Sequence, residues 1–209
     1  MNKHYAIFDM DGTLLDSMPF WVGLPQEYLD QVGAGPLRPG DGERIATMTL
    51  SGAAAFLVEQ YHLRRTPQQA ADELTALIGS HYRGDLQLKR QARSYLQQLR
   101  AQGVHMCVAS ATDQELIEVC FARLGILDWF DVVLSCETLH TDKLHPDIYL
   151  ECARRMGAAL GDVAVFEDMS HALRTAKNAG FYTVAVHDPL EEYEWPQLTA
   201  LADETLSLD

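Results

Sequence analysis

Five short apolar runs recur along the 209 residues: Tyr5–Phe8, Val104–Ala109, Val132–Leu134, Val163–Phe166 and Tyr182–Val186. Each is compact, β-branched or aromatic in character, and poorly alternating. A strand with one wet face alternates apolar and polar residues, so runs of this kind read as strands buried on both faces of a parallel sheet. The stretches between them carry helical spacing and helical punctuation. Thr112-Asp113-Gln114-Glu115 has the form of a capping box, Leu116, Ile117, Cys120, Phe121 and Leu124 follow at helical spacing, and Gly125 is the stop. Pro146 suits the first turn of a helix bearing Ile148, Tyr149, Cys152, Ala153 and Met156, and one more helix opens near Ser170 and closes at Gly180. Strands alternating with helices define βαβ units, and the expected fold is α/β, a doubly wound (Rossmann-like) parallel sheet.

One region breaks the alternation. Residues 17–84 carry helical patterns and no convincing strand, so a small helical domain is expected there, inserted into a core formed by residues 1–16 and 85–209. Thr66-Pro67-Gln68-Gln69 is a capping box with proline at the first helical position, leading into Ala70, Ala71, Leu74, Leu77, Ile78, His81 and Tyr82 on roughly one face. Ala53, Phe56, Leu57, Gln60 and Tyr61 form a second such face, while Pro25 and the Gly33–Gly42 stretch mark turns.

Charge narrows the choice of partner. Sixteen Lys and Arg against thirty Asp and Glu leave a formal net charge of −14. Such a surface repels nucleic acid and anionic lipid, and no basic patch offsets it, so neither nucleic acid nor membrane is an expected partner. After Lys177 there is no Lys or Arg, and the acidic C-terminal stretch reads as a solvated surface or a partner-binding tail. The four cysteines show no CxxC spacing and read as buried thiols in a reducing compartment. No apolar run approaches the ~18 residues of a membrane span. Asp9 and Asp11 interrupt the only hydrophobic stretch at the N-terminus, which therefore does not read as a signal peptide. The expected location is cytoplasmic.

The chemistry-bearing residues gather at strand ends. The first strand runs into Asp9-Met10-Asp11-Gly12-Thr13-Leu14-Leu15-Asp16-Ser17. Carboxyl ends of strands are where open α/β sheets place their ligand crevice. Alternation along a strand puts i and i+2 on one side, and two anions there repel unless a cation sits between them. A hard divalent cation, Mg2+ above all, suits such oxygen ligands. Gly12 permits a sharp turn and lets backbone N–H groups face an anion. On its own an Asp-x-Asp pair reads as surface acids, but Glu167-Asp168 end another apolar strand, and Ser110-Ala111-Thr112 end a third just before a helix. A helix N-terminus there is a phosphate seat. Lys143 lies in the loop before yet another helix and, taken alone, reads as an exposed lysine.

These elements in this order resemble the haloacid dehalogenase superfamily over essentially the whole chain, most specifically in the Asp9–Ser17 block. The Lys143…Pro146-Asp147-Ile148-Tyr149 and Phe166-Glu167-Asp168…Ala179-Gly180 blocks add to the likeness. The resemblance implies that residues 17–84 are the family's α-helical cap. It implies that Asp9 is the nucleophile, forming an aspartyl-phosphate, and that Asp11 is the general acid and base. Gly12, Ser110, Ala111 and Lys143 would bind substrate, with Ser110 and the Ala111 N–H on phosphate oxygens and Lys143 neutralising charge. Asp168, Asp9 and the Asp11 main-chain carbonyl would ligate Mg2+, with Glu167 nearby as a ligand or water holder. Two departures stand out: Ala111 occupies a place commonly held by Asn, and Met169-Ser170-His171-Ala172 follow the acids where Ser and Gly are common. His145 and His171 flank motif residues and either can line the pocket.

The function expected is a Mg2+-dependent phosphatase acting on a small phosphorylated metabolite. A β-phosphoglucomutase-like phosphoryl transferase is the alternative, and a non-catalytic interaction protein on the same scaffold is a remote one. Trp21 and Gly52 stand where mutases of this type carry a histidine and an arginine, which favours water as acceptor. Loops around Asp16–Trp21 and Met48–Ala53 are expected to close over the substrate. The sequence leaves the oligomeric state open.

Overall fold

A computed structural model describes residues 2–209. Six strands, β1 (Tyr5–Phe8), β2 (His105–Ser110), β3 (Val132–Ser135), β4 (Val163–Glu167), β5 (Tyr182–Val186) and β6 (Glu204–Leu206), form one sheet in the order β3-β2-β1-β4-β5-β6. Every pairing is parallel. Nine helices are present among the described residues: α1 (Met18–Gln31), α2 (Asp41–Ala46), α3 (Leu50–Gln60), α4 (Pro67–Gly84), α5 (Ala92–Ala101), α6 (Gln114–Arg123), α7 (Asp147–Met156), α8 (Ser170–Asn178) and α9 (Trp195–Leu201).

The five apolar runs are β1 to β5, within a residue or two at their ends. Both faces of the sheet are covered, which is why the runs do not alternate. On one face Ile7, Cys107, Ala109, Val163 and Val165 pack with Ile148, Tyr149 and Cys152 of α7 and Ala176 of α8. The other face is aromatic. Phe8 stacks on Phe166 at 4.3 Å and meets Phe130 edge-on, Phe121 of α6 stacks on Phe130, and Tyr95 of α5 meets Phe166 edge-on. The chain moves from β1 outward to β3, then returns to lay β4 against the free side of β1. That reversal is the switch point at which such sheets open a crevice, and it brings the carboxyl ends of β1, β2 and β4 together.

By contact density the chain divides into two compact units, Met1–Ser17 with Leu86–Asp209, and Met18–Asp85. The second is wholly helical. Its α4 starts with the expected capping box, Thr66 Oγ1 accepting from Gln69 N–H while Gln69 Oε1 accepts from Thr66 N–H. Ala70, Leu74, Ile78 and Tyr82 form its buried face. Pro25 corrects an expectation: it lies inside α1, buried, and marks no turn. Proline removes one helical hydrogen bond there, and packing of Leu24, Tyr28 and Leu29 overrides the local preference. The supposed loops also differ, since Met18–Trp21 open α1 and Leu50–Ala53 open α3 behind the Thr49 cap.

The acidic C-terminal stretch is largely structural. β6 is a sixth parallel strand that the sequence reading missed, because three residues flanked by Asp203 and Asp209 show no apolar run. Asp203 accepts from the N–H and hydroxyl of Thr183 and pairs with Lys177. Lys89 is buried and donates to Asp188 at 2.8 Å, Asp209 at 3.1 Å and the His187 carbonyl at 3.0 Å. Its backbone N–H bonds to Leu14 O, and Asp16 N–H bonds to Gln87 O, so the segments on either side of the inserted residues run antiparallel. All four cysteines are free and buried, as expected. No helix among the described residues is long and apolar enough to cross a membrane.

Removing one member of a buried ion pair strands the other charge. Lys89→Ala is expected to cost about 3–5 kcal/mol of stability, read as a lower midpoint in urea unfolding. Unchanged stability would mean that Lys89 contributes no net stabilisation.

Candidate active site

β1 ends at Phe8, and the Asp9 N–H continues the ladder to Phe166 O at 3.0 Å, so the Asp9 carboxylate emerges beside the end of β4. Glu167 is the last residue of β4 and Asp168 follows it. Asp9, Glu167 and Asp168 are all buried and each offers a carboxylate oxygen within 4.8 Å of the others. Lys143, from the loop before α7, reaches into this cluster and pairs with Asp9 Oδ1 and with Glu167 Oε1, the latter at 2.8 Å. Its side chain is only 9% exposed, so the exposed-lysine reading does not hold.

Three anions and one cation in a buried space carry an electrostatic cost. Burial pushes the Asp9 carboxyl up from the usual carboxylate range to about 7, with the Glu167 and Asp11 charges adding and Lys143 opposing. Asp168 is raised by burial and by the charges of Asp9 and Glu167, against Lys143 and a hydrogen bond from Thr13 Oγ1 at 3.1 Å. Burial alone would lower Lys143, but the charges of Asp9 and Glu167 outweigh it and hold the ammonium protonated. The donor set is all carboxylate oxygen and carries more negative charge than Lys143 compensates. That chemistry fits a hard divalent cation of the Mg2+ kind.

Asp11 sits differently from the expected strand neighbour. Because the strand stops at Phe8, alternation does not carry the Asp11 carboxylate into the three-acid cluster. It accepts from Thr112 Oγ1 at 2.7 Å, beside the carboxyl end of β2. The Thr112 hydroxyl is therefore not a helix cap; Asp113 caps α6, accepting from Glu115 N–H at 2.8 Å. Gly12 supplies the sharp turn at φ 74°, and its own N–H donates to Leu15 O and Ser17 Oγ. The Ser110 side chain is buried at the end of β2, with Oγ accepting from Thr112 N–H at 3.1 Å. Ala111 is exposed and shares with Lys143 a cavity of about 410 Å³ that is also lined by Cys136, Glu137, Thr141, Asp142, Leu144 and His171. His145 bonds instead to Asp142, and is not among that lining.

Two residues escaped the sequence reading. Tyr149 counted as an apolar position of α7, yet its hydroxyl donates to Glu167 Oε1 at 2.7 Å, the oxygen that Lys143 also holds. The signal was its polar end, since a buried tyrosine hydroxyl finds a partner. Thr13 reaches Asp168 across a separation of 155 residues, which no local pattern reveals.

A parallel sheet with a buried acid cluster and a lysine at its switch point has the ligand crevice of an open α/β fold lined with carboxylate chemistry. Residues 6–186 match the family profile described as haloacid dehalogenase-like hydrolase, and the chain belongs to that family. It is 27% identical over 207 residues to hexitol phosphatase B of Escherichia coli K12, covering 97% of this chain and 90% of that protein. Fructose-1-phosphate phosphatase YqaB of the same strain is 28% identical over 196 residues, covering 89% and 98%. A Thermotoga maritima protein grouped with the β-phosphoglucomutases shares the fold with a TM-score of 0.86 at 22% identity, over 98% of this chain and 94% of that one.

Relief of carboxylate repulsion gives a measurable sign. In chelator, Asp9→Asn is expected to raise the thermal midpoint by a few °C, on the order of 1 kcal/mol. A lowered midpoint would mean that the cluster is not repulsive.

Proposed function

We propose that the protein is a Mg2+-dependent phosphatase that hydrolyses a small phosphorylated sugar or sugar alcohol through an aspartyl-phosphate. The observation that carries this reading is Lys143 held between Asp9 and Glu167 in a buried three-carboxylate cluster, with Asp11 two residues beyond Asp9. The named sugar phosphatases among its relatives support the substrate class. Residues 18–85 are the cap in this reading.

Asp9 attacks phosphorus, and its carboxylate oxygen forms a bond as the ester P–O bond breaks. Asp11, steadied by Thr112, gives its proton to the departing alkoxide, so a neutral alcohol leaves. Water then attacks the same phosphorus, Asp11 takes its proton, and the Asp9 carboxylate is released with inorganic phosphate. Lys143 favours the ionised form of Asp9 against the pull of burial, and neutralises charge on the transferring group. The Ser110 hydroxyl and the Ala111 N–H orient phosphate oxygens. Asp9, Asp168 and the Asp11 main-chain carbonyl would hold Mg2+, with Glu167 beside them, and the ion would supply positive charge to the phosphoryl oxygens. Glu137, Thr141, Asp142 and His171 offer polar contacts in the cavity to a hydroxyl-bearing substrate end.

Phosphate release from hexitol phosphates is expected to require Mg2+ and to vanish in chelator. Asp9→Asn abolishes turnover, and Asp11→Asn slows it by about 10² to 10⁴. Near-normal turnover by Asp9→Asn would overturn the nucleophile assignment.

The likeness of fold to a β-phosphoglucomutase relative favours a second reading, phosphoryl transfer between positions of a sugar. Trp21 and Gly52 weigh against it, because neither brings the charge needed under a second phosphate. With β-glucose 1-phosphate, Mg2+ and a trace of bisphosphate, free phosphate is expected to outrun glucose 6-phosphate. The reverse order would establish the mutase.

A further inference from the structure

We infer that Glu194, 26 residues beyond Asp168 in sequence, is a positioning residue for the cation site: it fixes the turn that carries Asp168. This inference rests on the metal reading above. Helix α8 begins at Ser170, two residues after Asp168, and the residue before it, Met169, has an extended backbone and no side chain able to cap. The first N–H groups of a helix need acceptors, and a local Ser, Thr, Asp or Asn ordinarily provides one. Here the acceptor comes from another element. Glu194, at the start of α9, accepts from Ser170 N–H through Oε2 at 2.8 Å. Gln197 of α9 accepts from Ser170 Oγ at 3.4 Å, a second bond between the same two helix starts.

The consequence reaches the acid cluster through a very short piece of chain. The Asp168 carboxylate is tethered on one side by Thr13 Oγ1, and its backbone leads directly into the bond to Glu194. His171, which lines the cavity, lies one residue beyond the anchored Ser170. Glu194 is not part of the three-carboxylate cluster, so it acts through Ser170 and not as a ligand. Its negative charge also complements the positive end of α8. Without it the turn loses its distal acceptor, and mutually repelling carboxylates have freedom to move Asp168 away from Asp9 and Glu167. Outer partners that orient ligands typically matter by 10- to 100-fold in metal affinity.

Calorimetric titration of Mg2+ onto the metal-free full-length protein tests this, with the thermal midpoint measured in chelator alongside. Glu194→Ala is expected to weaken Mg2+ binding by about tenfold. Glu194→Gln keeps an oxygen acceptor and is expected to restore affinity to within about threefold of wild type, below the roughly 10- to 100-fold range of a lost outer partner. A purely structural role would lower the midpoint of Glu194→Ala and leave its Mg2+ affinity unchanged, and that result overturns the inference. Equal losses in the Ala and Gln variants also overturn it, because charge and not the hydrogen bond would then be at work. Wild-type protein that takes up no Mg2+ overturns the metal reading, and this inference falls with it. Normal wild-type binding matched by Glu194→Ala overturns this inference alone.

Discussion

The site turns on an unbalanced charge: three carboxylates buried within a few ångströms and one lysine to hold them. Burial and the neighbouring charges pull the Asp9 and Asp168 carboxyls upward, towards their neutral forms. Lys143 bridges two of them, Thr13 ties the third, and Tyr149 adds a hydrogen bond to the oxygen that Lys143 uses. The arrangement is a strained one that a divalent cation would relax, and such frustration is common where a protein trades stability for chemistry.

That cluster exists because of the sheet. Strand order β3-β2-β1-β4-β5-β6 puts β1 between β2 and β4, so three strand ends deliver Asp9, Ser110 and Glu167 to one edge. The strands hold their register because both faces are packed, one by α7 and α8 residues and the other by an aromatic layer around Phe8 and Phe166. Beyond them, the C-terminal segment returns to bond Lys89, Thr183 and, through Glu194, the start of α8. Acids that look like a solvated tail in sequence are thus internal partners of the core unit.

The local patterns were legible. Buried runs, the Thr66 capping box, the Asp9–Ser17 block and the helix openings near Pro146 and Ser170 each rest on side-chain size, periodicity or capping, which act over a few residues. Where the reading erred, a distant contact overrode a local preference. Pro25 is accommodated in α1 by packing, and Thr112 turns from its own helix to Asp11, 101 residues away.

The sequence by itself determined the doubly wound parallel architecture, the inserted helical segment, and which acids and hydroxyl lie at strand ends. Tertiary structure alone decided who partners whom: Glu167 rather than the Asp11 carboxylate beside Asp9, Tyr149 on Glu167, Thr13 on Asp168, and Glu194 on Ser170. Periodicity is a property of neighbours along the chain, whereas these bonds join residues from 18 to 155 positions apart. Their partners are chosen by burial, which removes water as a competitor and leaves each polar group to find whatever the fold has brought within reach.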